Sequence, residues 1–193
     1  MIYRLPADKR CVALTFDDGP HPQHTPRVLD ILREKGVRAT FFLIGGHVER
    51  HPDLARRIVA EGHAVGMHTY SHYGHDRLTL ERMKQDMAKT SAAFKAVLGS
   101  APDIFRPPYG RLSWAELRYC MGCGIRTVMW DSNPQDYRKD GEDALRTRIN
   151  ALDLRGGNII LLHDDMPATV KTLPDVVNKV REAGLGFTTI GDE

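Results

Sequence analysis

The sequence predicts a parallel α/β fold built from repeated strand–helix units. Short runs rich in β-branched and aromatic residues alternate with longer segments of helical period, and several of those segments end in glycine, as helix C-termini often do. The size makes it one domain, residues 1–193, because 193 residues fill one core and fall short of two when domains commonly run ~100 to 150 residues.

Seven strands are expected, in the order CVALTF (11–16), ATFFLI (39–44), HAVGM (63–67), DIF (103–105), IRTVMW (125–130), NIILL (158–162) and GFTTI (186–190). Between them PRVLDILREKG, PDLARRIVAEG, LERMKQDMAKTSAAFKAVLG, WAELRYCMGCG, DALRTRINAL and VKTLPDVVNKVREAG carry helical apolar spacing. Pro174, inside the last of these, is expected to start a helix or to kink one. A closed barrel and an open doubly wound sheet both fit this alternation.

Composition excludes several classes. Apolar residues make up 41% and charged residues 27%, which is ordinary for a globular protein and unlike a disordered or fibrous one. A net charge of +2, with no basic run interleaved with aromatics, argues against nucleic acid as a partner. No membrane span is expected, since no run of about 18 apolar residues occurs. The opening MIYRLPADKRCVALT does not read as an export signal. The chain as it stands is therefore expected in the cytoplasm, or outside it if a leader has been trimmed. The three cysteines do not make a disulfide framework, and the Cys120–Cys123 pair lacks the second half of a zinc site, so both are read as packing residues.

Barrels and open sheets alike bind ligands beyond the C-terminal ends of their strands, so the residues just past each strand decide the chemistry. The first strand leads into DDGPHP, with adjacent Asp17 and Asp18, one able to bind a metal while the other faces a reacting water. The third leads into HTYSH, placing His68 and His72 four apart, a spacing that brings two imidazoles together on a helical turn. The fourth leads into RPPYG, where Arg106 is a bidentate carboxylate partner on a proline-stiffened turn. The fifth leads into DSNPQDY, and the sixth ends at His163, with Asp164 and Asp165 starting the loop to the last helix.

Each motif also has an ordinary reading: Asp-Asp-Gly-Pro as a turn, HxxxH as a solvated helix face, Arg106 as a surface charge, Asp136 as a cap. HxxxH here lacks the glutamate of a zincin, with Thr69 at that position. His75 could replace His68 as the partner of His72, while His21 and His24 are read as loop residues. Together, one carboxylate and two histidines make a three-ligand set with open positions, the catalytic rather than the structural arrangement.

TFDDGP (15–20), HTYSH (68–72), RPPYG (106–110), DSNPQDY (131–137) and LLH (161–163) resemble, in content and order, the motifs of the polysaccharide deacetylases of the NodB-homology type, carbohydrate esterase family 4. The resemblance spans residues 10 to 190 and implies a distorted (β/α)7-type barrel. It implies that Asp18, His68 and His72 bind a divalent metal, with Asp17 as general base and Arg106 orienting it; these O and N ligands suit zinc first, with cobalt, nickel, manganese or iron as alternatives. It implies further that the Tyr109 backbone N–H supports an oxyanion and that His163 is the general acid, tuned by Asp136. Leu161 walls the acetyl-methyl pocket, and Tyr109 and Tyr137 line the substrate site, Tyr137 standing where family members often carry tryptophan. The implied activity is removal of N-acetyl groups from N-acetylglucosamine-containing oligo- or polysaccharide, and the chain itself is expected to act as a monomer. The same apparatus on a formamide or an acetyl ester, and a dead carbohydrate-binding domain, are the alternatives.

Overall fold

Period-two alternation along the strands is what sets the inside and outside of this molecule. In the computed structural model, residues 1–6, 10–73 and 79–191 are described, and His75 lies outside them. The strands are β1 (Cys11–Asp17), β2 (Thr40–Leu43), β3 (Ala64–Met67), β4 (Ile104–Phe105), β5 (Arg126–Thr127), β6 (Ile159–His163) and β7 (Gly186–Thr188). The helices are α1 (Thr25–Lys35), α2 (Gly45–Arg50), α3 (Pro52–Ala60), α4 (Leu80–Leu98), α5 (Trp114–Gly122), α6 (Glu142–Asn150) and α7 (Pro167–Glu182).

All strand pairings are parallel, in the order β5-β4-β3-β2-β1-β6, with β7 alongside the start of β1. On β1, Val12, Leu14 and Phe16 pack outward with Val28, Leu29 and Leu32 of α1, while Ala13 packs inward with Phe42, Ile104 and Ile159. Parity then directs Thr15 and Asp17 inward with Ala13, Arg106 with Ile104, and Leu161 and His163 with Ile159. The chemistry-bearing side chains point into the barrel because the apolar ones beside them point out.

The sheet curls, and the gap between its outer strands β5 and β6 is spanned by irregular chain. Ile2 donates to the Thr127 carbonyl at 2.8 Å and accepts from Met129 at 2.7 Å, and Leu161 donates to the Ser132 carbonyl at 2.9 Å. The fifth strand therefore stops at Thr127 rather than at 130, because the chain beyond it leaves β4 to pair with the N-terminal segment and then with β6.

The expected helices form, and α1 and α4 end at left-handed Gly36 and Gly99. Pro174 lies inside α7 rather than starting or ending it. Helix α2 begins at Gly45 and Gly46 and adds one element to the expected set, although paired glycines ordinarily mark a turn. Cys120 is buried in the core, in keeping with a packing role, whereas Cys123 is exposed just past the end of α5 and is not a core residue; both are free thiols. No helix among the described residues is long and apolar enough to cross a membrane.

Candidate active site

Asp17 ends β1 and Asp18 begins the next turn in a left-handed conformation (φ 76°), which swings its carboxylate away from its neighbour's. The two carboxylates consequently meet different partners. Asp17 Oδ1 accepts from Arg106 Nη1 at 2.7 Å, and its Oδ2 lies 3.8 Å from His68 Nε2. Asp18 Oδ1 lies 3.4 Å from His68 Nε2 and 3.1 Å from His72 Nε2, yet is buried without a hydrogen-bond partner.

His68 and His72 do come together, with ring centroids 5.0 Å apart, but not on a helical turn. The segment after β3 is a loop in which Thr69 (φ 62°) and His72 (φ 55°) are both left-handed, and the Thr69 hydroxyl accepts from the His72 amide at 3.0 Å. Spacing of four was the right signal with the wrong geometry behind it. His68 Nδ1 must donate to the Arg106 carbonyl at 2.7 Å, since a carbonyl only accepts, and this leaves the Nε2 lone pair facing Asp18.

One carboxylate oxygen and two imidazole nitrogens, all within 4.8 Å of one another, make a group among the described residues that could hold a cation. The orphaned Asp18 oxygen fits a cation better than anything the protein itself supplies. Burial would raise the Asp18 carboxyl, but His68 beside it and the charges of His68, His72 and His163 outweigh that and hold it well below the carboxylate range. Burial opposes charge on His68, yet the charges of Asp17 and Asp18 pull it upward; His72 is lowered, mainly by burial.

Arg106 is wholly buried, its guanidinium 4.1 Å from the Phe42 ring centroid, donating also to the Thr15 hydroxyl at 2.7 Å and the Met129 carbonyl at 2.9 Å. A surface reading of this arginine is excluded. Burial lowers its pKa, against the favourable charge of and hydrogen bond to Asp17.

His163 stands beside Asp17 as its register partner on β6. Its Nδ1–H donates to Asp136 Oδ1 at 2.8 Å and its amide to Oδ2 at 2.7 Å, while the Thr169 hydroxyl closes on the same Oδ2 at 2.5 Å. Asp136 reaches this point from a loop built by an Asx turn, Asn133 Oδ1 accepting from Gln135 N at 2.6 Å, and is pinned by Arg148 donating to the Pro134 carbonyl at 2.6 Å. Burial works against charge on His163, but the Asp136 bond and the charges of Asp136, Asp17 and Asp18 prevail, and the imidazole is pushed up to about 9.

These groups open onto a cleft of about 410 Å³ walled by Tyr109, Trp130, Asn133, Tyr137, Leu161 and Met166. Tyr109 sits in a left-handed turn (φ 58°) with its ring centroid 5.1 Å from that of His72, and Tyr137 meets His163 edge-on at 5.7 Å. Asp17, Asp18, His68, His72, Tyr109, Tyr137, Leu161 and His163 line this one mouth, and Arg106 and Asp136 hold Asp17 and His163 in it.

Other groups that support these side chains do not stand out in the motifs. Thr15 was discoverable, since it shares the inward parity of Asp17 and also donates to the Ile160 carbonyl at 2.7 Å. Asp86, Thr169, Trp130 and Met166 carried no local signal. Asp86 of α4 accepts from the Tyr70 amide at 2.5 Å and the Ser71 hydroxyl at 3.0 Å, bracing the histidine loop from behind. Asp164, placed correctly in the turn before α7, is not a solvated loop residue. It is wholly buried against Gly19, accepts from the Thr25 hydroxyl, and its carboxyl is pushed up to about 8 by burial foremost.

A barrel mouth with a buried carboxylate, a raised histidine and a cation pocket side by side is the equipment of a hydrolase. The chain belongs to the polysaccharide deacetylase family, whose model matches residues 4–128. It is 36% identical over 187 residues to a chitooligosaccharide deacetylase of Rhizobium leguminosarum bv. trifolii, covering 95% of this chain and 82% of that one. The fold superposes on the crystal structure of the Bc1960 peptidoglycan N-acetylglucosamine deacetylase with a TM-score of 0.92 at 31% identity, covering 98% and 90% of the two chains. It also superposes on BA3943 of Bacillus anthracis, a pseudoenzyme of carbohydrate esterase family 4, with a TM-score of 0.89 at 28% identity over 98% and 66%. Fold alone therefore does not separate active from inactive members.

Proposed function

We propose that the protein is a metal-dependent N-deacetylase that releases acetate from N-acetylglucosamine-containing oligo- or polysaccharide of the chitin-oligosaccharide or peptidoglycan kind, acting as a monomer. The observation that carries this reading is the pairing of Asp17 with His163 on adjoining strands beside the orphaned Asp18 oxygen. An acid, a base and a cation pocket in one cleft is what amide hydrolysis requires and what a mere binding module has no use for.

A divalent ion on Asp18, His68 and His72, zinc foremost, with cobalt, nickel, manganese or iron as competitors, would polarise the acetamide carbonyl and acidify a water. Asp17 takes the proton from the attacking water through Oδ2, the oxygen that Arg106 does not hold. Arg106 thereby positions the base. The Tyr109 backbone N–H donates to the developing oxyanion, and one such preorganised donor contributes about 2.7 to 4 kcal/mol. His163, with Nδ1 committed to Asp136, presents Nε2 to the departing amine and protonates it. Leu161 and Tyr137 hold the acetyl methyl, and Tyr109 the sugar.

The acid form of His163 exists below its raised pKa, so activity is lost as pH climbs through that value. Asp136→Asn removes the charge that raises it, and the alkaline limb of kcat is expected to move to lower pH while the acid limb stays. A pH profile of the variant with an unmoved alkaline limb would contradict the assignment.

The substrate reading is tested by following acetate or formate release from defined oligomers carrying N-acetyl, N-formyl or O-acetyl groups. N-acetyl oligomers should turn over fastest. Faster turnover of the formamide or the ester would transfer the same machinery to that bond.

A further inference from the structure

The ligand trio is assembled from two loops that have no covalent reason to hold register, and both contain left-handed non-glycine residues, Asp18 on one and Thr69 and His72 on the other. Each such residue costs of order 1–3 kcal/mol and persists only where surrounding structure over-determines it. One short stretch of chain, Ile44 to His47, is bonded to both loops.

Ile44 donates to the Gly19 carbonyl at 2.9 Å, Gly45 to the Thr69 carbonyl at 2.8 Å and Gly46 to the Tyr70 carbonyl at 3.1 Å. His47 completes the set, its Nδ1–H donating to the Asp18 carbonyl at 2.9 Å. Neither glycine has room for a side chain, since a Cβ on Gly45 would stand 3.0 Å from the Tyr70 ring and 3.1 Å from Thr90 Cα, and one on Gly46 3.0 Å from the Tyr70 carbonyl. The backbone of α2 thus lies flush against the histidine loop, and one side chain reaches across to the aspartate loop.

We propose that His47 is a positioning residue: its hydrogen bond to the Asp18 carbonyl fixes the left-handed turn that aims the Asp18 carboxylate at His68 and His72. This rests on the reading of Asp18, His68 and His72 as metal ligands. His47 touches neither metal nor substrate and acts only through the conformation of Asp18. Groups that orient a ligand from behind in this way commonly govern about 10–100-fold in metal affinity.

The test is zinc affinity of the metal-free protein by competition with a chromophoric chelator, with the thermal midpoint taken alongside to confirm folding. H47F keeps an aromatic ring without the donor and is expected to bind zinc about 10–100-fold more weakly than wild type. H47N, whose side-chain amide nitrogen occupies the place of Nδ1, should recover most of that loss, whereas H47Q, whose nitrogen falls nearer the place of Nε2, should not. The H47N-to-H47Q contrast carries the test even if H47F does not fold. Wild-type affinity in folded H47F, or equal weakening by H47N and H47Q, would overturn the role of His47 alone. Failure of the wild-type protein to bind zinc would overturn the ligand assignment and the proposal with it.

Discussion

Asp17→Asn is expected to lower kcat by about 10²–10⁴-fold, the contribution typical of a general base, while leaving zinc stoichiometry unchanged. Asp18→Asn is expected to do the reverse in order, losing the metal first and activity in consequence. The asymmetry follows from the geometry: Asp17 Oδ1 is tied to Arg106 at 2.7 Å, whereas Asp18 Oδ1 faces two imidazole nitrogens with no partner of its own. Asparagine at 17 can still accept from Arg106, so the site keeps its shape and loses only its proton acceptor. Metal analysis and acetate release on the two variants decide the matter, and loss of zinc from Asp17→Asn would show the two roles exchanged.

Arg106→Met is expected to be the most destabilising single change at the site, by about 3–5 kcal/mol, because it strands the Asp17 carboxylate in the interior without its counterion. At this chain length each kcal/mol shifts the thermal midpoint by roughly 2–4 °C, so a fall of about 10 °C is expected. Arg106→Lys should recover little of it, since one ammonium cannot replace the fork that reaches Thr15, Asp17, Val128 and Met129 together. Adding Asp17→Asn to Arg106→Met removes the stranded charge and should restore part of the midpoint. A double variant no more stable than Arg106→Met would mean that the lost packing on Phe42, rather than the ion pair, sets the cost.

How much of this could be read from the chain depends on where each residue's partners lie. β1 and β6 were legible because strands covered on both faces are apolar almost throughout, as CVALTF and NIILL are. The ends of those strands were legible for the same reason, since Asp17 and His163 interrupt apolar runs where nothing in packing asks for them. β5 was overextended because VMW looks like strand in any context, and only the tertiary competition of Ile2 and β6 for that segment ends it at Thr127. The histidine pair was found by a helical spacing rule although two left-handed residues, not a helix, produce the contact. Thr169, Asp86 and His47 were invisible because each acts on a partner 33, 16 and 29 positions away, respectively, with no motif to announce it. Motif residues are thus legible one by one, whereas the groups that hold them in place are properties of the fold.

Amide hydrolysis by this protein is expected to need a cation on Asp18, His68 and His72. Acetate release from an N-acetylglucosamine oligomer, measured before chelation, after it, and after return of one equivalent of zinc, tests this most directly. Activity, its loss, and its recovery in step with bound metal are expected in turn. Undiminished acetate release from verifiably metal-free protein would contradict the need for the cation.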